Sequence, residues 1–394
     1  MSVENSGVFD RMWADLAPVG RHPGTGGYRR YAWTREDAVL REWFTGEAGR
    51  RGLEVVPDRA GNLVAWTADP DAAGPGLVVG SHLDSVPDGG AYDGPLGVVS
   101  AFAALDLLDR TTLRRPVGVA CFGDEEGARF GVACAGSRLL TGALDADRAR
   151  SLADEGGTTM AEAMTAAGAD HAALGRDDEA LRRIGTFLEL HVEQGRALVD
   201  DGAAVGVASA IWPHGRWRLD LRGRADHAGT TRLADRDDPM LALAAAILEA
   251  RAAAVRSGAL ATVGKVRVEP NGVNAIPSAV TAWLDARGPV EEDVRSVVAD
   301  VGRAAGTVPV EESWTASTEF DAALRDRLAA LLAAPVLPTG AGHDAGILAA
   351  AGIPSAMLFV RNPTGVSHSP AEHAEPADCL AGVSALARAI EALA

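Results

Sequence analysis

The chain has 394 residues, with 37 Lys and Arg against 54 Asp and Glu, for a formal charge of −17. That balance, with no basic stripe to offset it, argues against a nucleic-acid or anionic-membrane partner. A hydrophobic share of 47%, no apolar run of membrane-spanning length and no N-terminal signal pattern predict a globular cytoplasmic protein with room for two domains.

The first element is a helix from Arg35, with Thr34 as its N-cap after the aromatic and arginine-rich stretch Tyr28 to Trp33. Gly76–Gly80 and Pro116–Gly123 are short apolar runs without alternation, as expected of strands covered on both faces. Between them Val98 to Leu108 is rich in Ala and Leu and predicts a helix. Strand, helix, strand is a parallel crossover, and the polar residues follow each strand, where open α/β sheets bind ligands. His82 follows the first strand and can offer a neutral ring nitrogen to a metal. Asp84, two residues on, points to the same side and is expected to accept the other ring N–H. Asp93 lies in the glycine-rich loop 88–95, where a carboxylate can bridge two ions. Glu125 and Glu126 follow the second strand; being adjacent, one can bind metal while the other stays free as a general base. An isolated Asp-Glu-Glu run would be a solvated turn, but its place after an apolar strand favours chemistry.

Phe187–Gly195 predicts a third strand with His191 at its end, and Ala356–Val360 a fourth, followed by the Gly/Ser/Pro loop that carries His368. The segment from 203 to 317 has another character. Trp217–Gly223 alternates like a half-buried strand, Asp238–Val255 predicts a long helix, and strands at 261–268 and 279–286 precede a helix at 291–305. This predicts a small α+β domain of residues 203–317 inserted into a larger domain of residues 1–202 and 318–394. The fold class is therefore α/β, with a mixed, largely parallel central sheet and an inserted α+β domain.

The motifs GSHLDSVPDGGAYDGPLGV, FGDEEGARFG, LELHVEQG, ADHAGTT, EPNGVNAIP, GAGHDA and GVSHSPAEH run in order from residue 80 to 373. Together they resemble the hydantoinase/carbamoylase branch of the metallopeptidase M20 family, which includes N-carbamoyl-L-amino acid hydrolases, allantoate amidohydrolases and β-ureidopropionases. The resemblance implies a dinuclear amidohydrolase with two divalent metal ions per chain. His82, Asp93 and His191 would hold one ion; Asp93, Glu126 and His368 would hold the other. Glu125 would be the general base. Zinc suits this thiolate-free set, as do manganese, cobalt and nickel. The resemblance also implies that the insert serves as a lid and as the contact of a homodimer.

By the same resemblance His227 polarises the scissile carbonyl in the opposite subunit, and Arg287 forks onto a substrate carboxylate. Asn274, Gln194 and His343 are further candidates for substrate contact. Read without the resemblance, His227 is a strand-end histidine capping backbone, Asn274 a turn former and Arg287 a surface arginine. The implied substrate is a small carboxylate, allantoate or an N-carbamoyl-L-amino acid. A deacylase of another N-acyl amino acid such as N-formyl-L-glutamate, and a non-catalytic ligand-binding relative, are the alternatives. Arg232 stands where the family often has proline, and Arg361–Gly365 is unusual wording before the last histidine. Cys121, Cys134 and Cys379, an odd number without metal spacing, suggest a reducing compartment.

Overall fold

The computed structural model describes residues 3–394. The helix Arg35–Arg50 begins as expected, with Thr34 Oγ1 accepting the Asp37 N–H. The chain then enters a large sheet through the hairpin β1 (Glu54–Pro57) and β2 (Leu63–Trp66). β3 (Gly76–His82) and β4 (Val117–Phe122) are buried at every position, which is why their sequences show no alternation. β3 runs two residues past the expected end, so His82 closes the strand itself. The crossover helix spans Pro95–Asp106, three residues ahead of the expected start. Pro95 sits in its first turn, where a missing N–H costs nothing.

β5 (Ile184–Val192) and β6 (Val205–Ile211) follow. Next come β7 (His214–Arg222), the two-residue β8 (Asp226–His227), β9 (Leu260–Glu269), β10 (Ala275–Ile276), β11 (Ala279–Arg287) and β12 (Val310–Thr315). The large sheet is then completed by β13 (Thr318–Glu319), β14 (Val336–Thr339) and β15 (Ser355–Val360).

The large sheet has the order β1-β2-β4-β3-β5-β15-β6-β13, with β14 on β6. Its centre, β4-β3-β5-β15, is parallel, while β2 and β6 join it antiparallel. This is the mixed, largely parallel sheet expected from the sequence. Its core is formed by Leu77, Val79, Phe102, Val119, Leu188, Leu190 and Leu358, together with residues of the C-terminal helix Pro376–Leu393.

Two compact units are present: one runs through Ser209 and resumes over Glu319–Ala394, and the other is Ala210–Thr318. Residues 205–209 stay with the first unit because β6 pairs with β15 there. The second unit holds an antiparallel sheet of order β12-β7-β11-β9 and the small pair β10-β8. Helices Pro239–Ser257 and Glu291–Ala305 bury Leu243, Ala246, Val294, Val297 and Val301 against Leu219, Leu221 and Leu284. β12 was not expected; its residues 310–313 are all exposed, so its sequence carries no burial pattern.

Candidate metal centre

The candidate ligands collect at the carboxyl ends of the parallel strands. The His82 Nδ1 lies 3.2 Å from the Asp84 main-chain oxygen and 3.4 Å from its carboxylate. Oxygens of those kinds only accept, so Nδ1 carries a proton and Nε2 is the nitrogen left to face the site. His191 repeats the arrangement, with Nδ1 2.8 Å from the Val192 main-chain oxygen. Both Nε2 atoms are buried and have no hydrogen-bond partner. They face Asp93 Oδ1, at 3.7 Å from His82 and 3.1 Å from His191. Unprotonated, those nitrogens and the carboxylate oxygen would repel one another in a dry pocket, so the arrangement calls for positive charge among them, whether protons on the rings, as their raised pKa values express, or a metal ion. The residues therefore fit a metal ion. His82, Asp93 and His191 each offer a ligand atom within 4.8 Å of the others, and so do Asp93, Glu126 and His368.

The titration shifts have the same origin. Burial alone would lower the pKa of His82, but the Glu125 charge and the bonds to Asp84 and Asp93 raise it well above the imidazole range. Burial would raise Asp93, but His191 and His82 hold it well below the carboxylate range. Glu125 and Glu126 both go up, driven first by burial; at Glu126 the Asp93 charge adds to it. The close approach of the loop needs glycine at position 94, where φ is +86° and a Cβ would fall on the His82 ring.

Asp84 does more than the sequence led us to expect. Its main chain is the nearer partner of the His82 ring, and its carboxylate accepts the N–H groups of Glu125 (3.2 Å) and Glu126 (3.0 Å). One side chain thus fixes the turn that carries both glutamates. Glu125 Oε1 accepts the Cys134 thiol at 3.3 Å, and Oε2 lies 3.7 Å from His82 Nε2. Glu126 Oε2 lies 3.6 Å from His368 Nε2. His368 is half exposed and has φ +54°.

Gln194 sits differently from a simple substrate contact. Its Nε2 donates to Asp93 Oδ2 (2.8 Å) and to Ser367 Oγ (3.1 Å), leaving only the buried Oε1 without a partner. His343 is buried beside His191, ring centroids 4.5 Å apart, with neither nitrogen hydrogen-bonded. Burial and then the His191 charge hold its pKa well below the imidazole range. With Glu189 and His191 it forms a third ligand-like group. The two oxygens of Glu189, however, already accept from Ser81 and the Ala345 N–H.

Glu372 went unread in the sequence. Its Oε1 accepts the N–H groups of Tyr92 (2.9 Å) and Asp93 (3.0 Å), while Oε2 accepts Ser367 Oγ at 3.3 Å. It ties the Asp93 loop to the His368 loop. The position of a glutamate four residues past His368 was the only signal available for it.

In the second unit, His227 pairs with Ala275 across β8 and β10, and the Ala228 N–H donates to the Asn274 main-chain oxygen at 2.9 Å. The unit thus brings His227 and Asn274 together. The His227 Nδ1 accepts the Gly229 N–H at 3.0 Å, so the neutral ring holds its proton on the exposed Nε2. Arg287 is not with them. It ends β11, whose first residue Ala279 is the end next to β10. Eight strand steps separate those ends, about 26 Å. Two Arg287 nitrogens donate to the Asp285 carboxylate at 2.8 and 2.7 Å.

Residues 78–392 match the family description Peptidase family M20/M25/M40. The chain belongs to that family. In this M20 chain the matched span takes in every residue from His82 to Glu372, and the chain is a hydrolase. It is 35% identical to the N-carbamoyl-L-amino acid amidohydrolase of Geobacillus stearothermophilus, over 98% of each chain. It is 32% identical to the allantoate amidohydrolase of Escherichia coli K12, over 96% of each. Among solved structures it superposes on a hydantoinase/carbamoylase family amidase from Burkholderia vietnamiensis with TM-score 0.88 and 28% identity, covering 98% of this chain and 97% of that one. No helix among the described residues is long and apolar enough to cross a membrane.

Proposed function

We propose that the protein is a dinuclear metal-dependent amidohydrolase that cleaves a linear amide or ureido C–N bond of a small carboxylate substrate, allantoate or an N-carbamoyl-L-amino acid. The observation that carries this reading is the convergence on Asp93 of two buried imidazole nitrogens that have no hydrogen-bond partner. The M20 relatives named as N-carbamoyl-L-amino acid and allantoate amidohydrolases support the substrate class. His82, Asp93 and His191 would hold one ion, and Asp93, Glu126 and His368 the other. Three imidazoles with carboxylates and no thiolate suit zinc, with manganese, cobalt and nickel as competitors. When bound, such ions lower the pKa of water and polarise a carbonyl.

Glu125 is the general base. Cys134 and the Asp84-held backbone fix one of its oxygens and its main chain, leaving Oε2 to take a proton from the attacking water. Glu125 then passes that proton to the leaving nitrogen. His227 donates from Nε2 to the carbonyl oxygen as charge develops there. Arg287 leaves Asp285 for the substrate carboxylate, which matches its planar fork. A carbamoyl group then yields ammonia, carbon dioxide and the free amine.

One small substrate cannot span the length of β11 to meet both Arg287 and His227 of the same second unit. This supports a homodimer in which His227 serves the partner's site, with the second unit as lid and dimer contact. The helix Pro239–Ser257 supplies a surface for it: Leu241, Leu248 and Val255, seven residues apart, are 71%, 72% and 71% exposed. β9 is an edge strand of that unit and exposes Leu260 and Val266.

The test is release of ammonia and amino acid by protein loaded in parallel with zinc, manganese, cobalt or nickel. Substrates are allantoate, several N-carbamoyl-L-amino acids, N-carbamoyl-β-alanine and N-formyl-L-glutamate. Metal-dependent ammonia release from one ureido acid is the expected result. Turnover of N-formyl-L-glutamate alone, without ammonia, overturns the substrate class and keeps the amide chemistry. Equal silence of wild type and Glu125→Gln on the whole panel favours a binding protein.

A further inference from the structure

The opposite end of the large sheet carries an arrangement that the catalytic reading does not use. Arg115 lies just before β4, Thr186 near the start of β5, and Pro354 directly before β15. These are the amino ends of parallel strands whose carboxyl ends carry the metal ligands. Five residues of β5 separate Thr186 from His191, about 16 Å. Here a cleft of about 560 Å³ opens between these strand ends and the helix Ala322–Leu332, which contributes Arg327. Three guanidinium groups line it, from Arg114, Arg115 and Arg327, against no carboxylate side chain and the single main-chain carboxyl group of Ala394.

In a chain with a net charge of −17 that grouping runs against the composition. Elsewhere buried or half-buried arginines find carboxylates or main-chain oxygens: Arg51 bonds Glu47 and Asp106, Arg361 bonds Asp378, and the buried Arg30 bonds the Val19 and Leu16 oxygens. Arg115 does not. Its two terminal nitrogens reach only the Thr186 hydroxyl, at 3.4 and 3.3 Å, and its Nε is buried with no partner. Burial, and then the neighbouring Arg327 charge, pull its pKa below the usual arginine range. Arg327 donates to the Ala392 main-chain oxygen, an acceptor that leaves its charge uncompensated. The Ala394 main-chain oxygen is taken by the Arg114 N–H at 2.7 Å. A half-buried guanidinium facing a second one, with most of its donors idle, is held at a cost that a bound oxyanion would remove. Guanidinium groups bind carboxylate and phosphate oxygens in pairs, and the cleft volume falls in the range of small-molecule sites.

We infer that the cleft between Arg115 and Arg327 binds a small metabolite through an oxyanion, a carboxylate or a tetrahedral phosphoryl-type group, at a site remote from the metal centre. Arg327 and Arg115 grip the anion from two elements, the helix and the strand start, and Arg114 supplies charge at the rim. Occupancy stabilises the folded chain by an amount that grows with the logarithm of one plus the ratio of ligand concentration to dissociation constant.

The experiment is calorimetric titration of the metal-loaded full chain with inorganic sulfate, standing for the tetrahedral group, and with succinate, standing for the carboxylate. Ionic strength is held constant with sodium chloride. Saturation at one equivalent by either anion, with a raised thermal midpoint, is expected; which anion saturates identifies the source. Arg327→Gln, an exposed position that leaves the fold intact, should weaken that binding at least tenfold, and Arg115→Gln should do the same. Arg287→Gln should bind the anion as wild type does, because Arg287 belongs to the proposed substrate site. Failure of both anions to saturate the wild type, or unchanged binding in Arg327→Gln, overturns the inference.

Discussion

At the scale of single residues, the centre depends on carboxylates that play unlike parts. Asp93 takes cationic contacts and is held low, whereas Glu125 and Glu126 are pushed up by burial. Asp84 holds two backbone N–H groups and backs His82. Asp84→Asn keeps the size but turns an amide N–H toward donors. We expect metal affinity to fall about 10–100-fold, read by chelator competition. Unchanged affinity with unchanged turnover would mean that the Asp84 bonds are incidental. Glu125→Gln is expected to separate binding from chemistry: the metal content stays, and kcat falls by about 10²–10⁴-fold. Loss of metal in that variant would make Glu125 a ligand instead of a base. Residues such as His82, Asp93, Glu126, His191 and His368 were legible in the sequence because each follows an apolar run or sits in a glycine-rich loop. Glu372 and Cys134 were not. A carboxylate bonding the N–H of Asp93 from 279 positions away leaves no local pattern.

At the scale of elements, the buried strands were the easiest to read. β3, β4 and β15 are covered on both faces, so continuous apolar runs mark them. Edge strands lack that mark: β12 begins Val-Glu-Glu-Ser with all four residues exposed, and β8 and β10 have two residues each. The β1–β2 hairpin makes a pH prediction. In its turn, Asp58 Oδ1 accepts the N–H groups of Ala60 and Asn62 at 2.9 Å each, and Oδ2 accepts the Asn62 amide at 2.6 Å. Burial nevertheless pushes Asp58 up to about 6, with the Asp177 charge adding to it. The folded chain therefore keeps a proton that the unfolded chain releases near 4. Stability from this group is full below that value and is lost as pH rises through about 6. Urea unfolding between pH 4 and 7 should show this component, at most about 1.4 kcal/mol per pH unit, and Asp58→Asn should remove it. An identical pH profile in the variant would place the titration elsewhere. The exposed row on the helix Pro239–Ser257 makes a second prediction. If the proposed homodimer forms through this row, Leu248→Glu should sediment as a monomer at a micromolar concentration where the wild type is dimeric, with the far-ultraviolet circular dichroism unchanged.

At the scale of the whole molecule, two units with separate cores carry the candidate residues, and their chain order conceals this. His227 and Asn274 fall between His191 and His368 in sequence, yet they belong to a unit that folds around Leu219, Leu284 and Val297. The sequence signalled the insert through its change from buried runs to alternation at Trp217–Gly223. It could not signal that Arg287 and His227 stand a strand's length apart, because that follows from which end of β11 adjoins β10. The separation has a consequence that can be measured by mixing variants. His227→Ala and Glu125→Gln homodimers should each be inactive. If His227 serves the partner's site, a mixed dimer holds one site with both residues intact and one with neither. Co-expression at equal levels gives half mixed dimers, each with half its sites working, so about a quarter of wild-type turnover should return. If His227 acts within its own chain, every site in the mixture lacks one of the two residues and turnover stays at the level of the parents. Loss of the recovered activity when Leu248→Glu is added to both variants would tie the recovered sites to the same dimer contact.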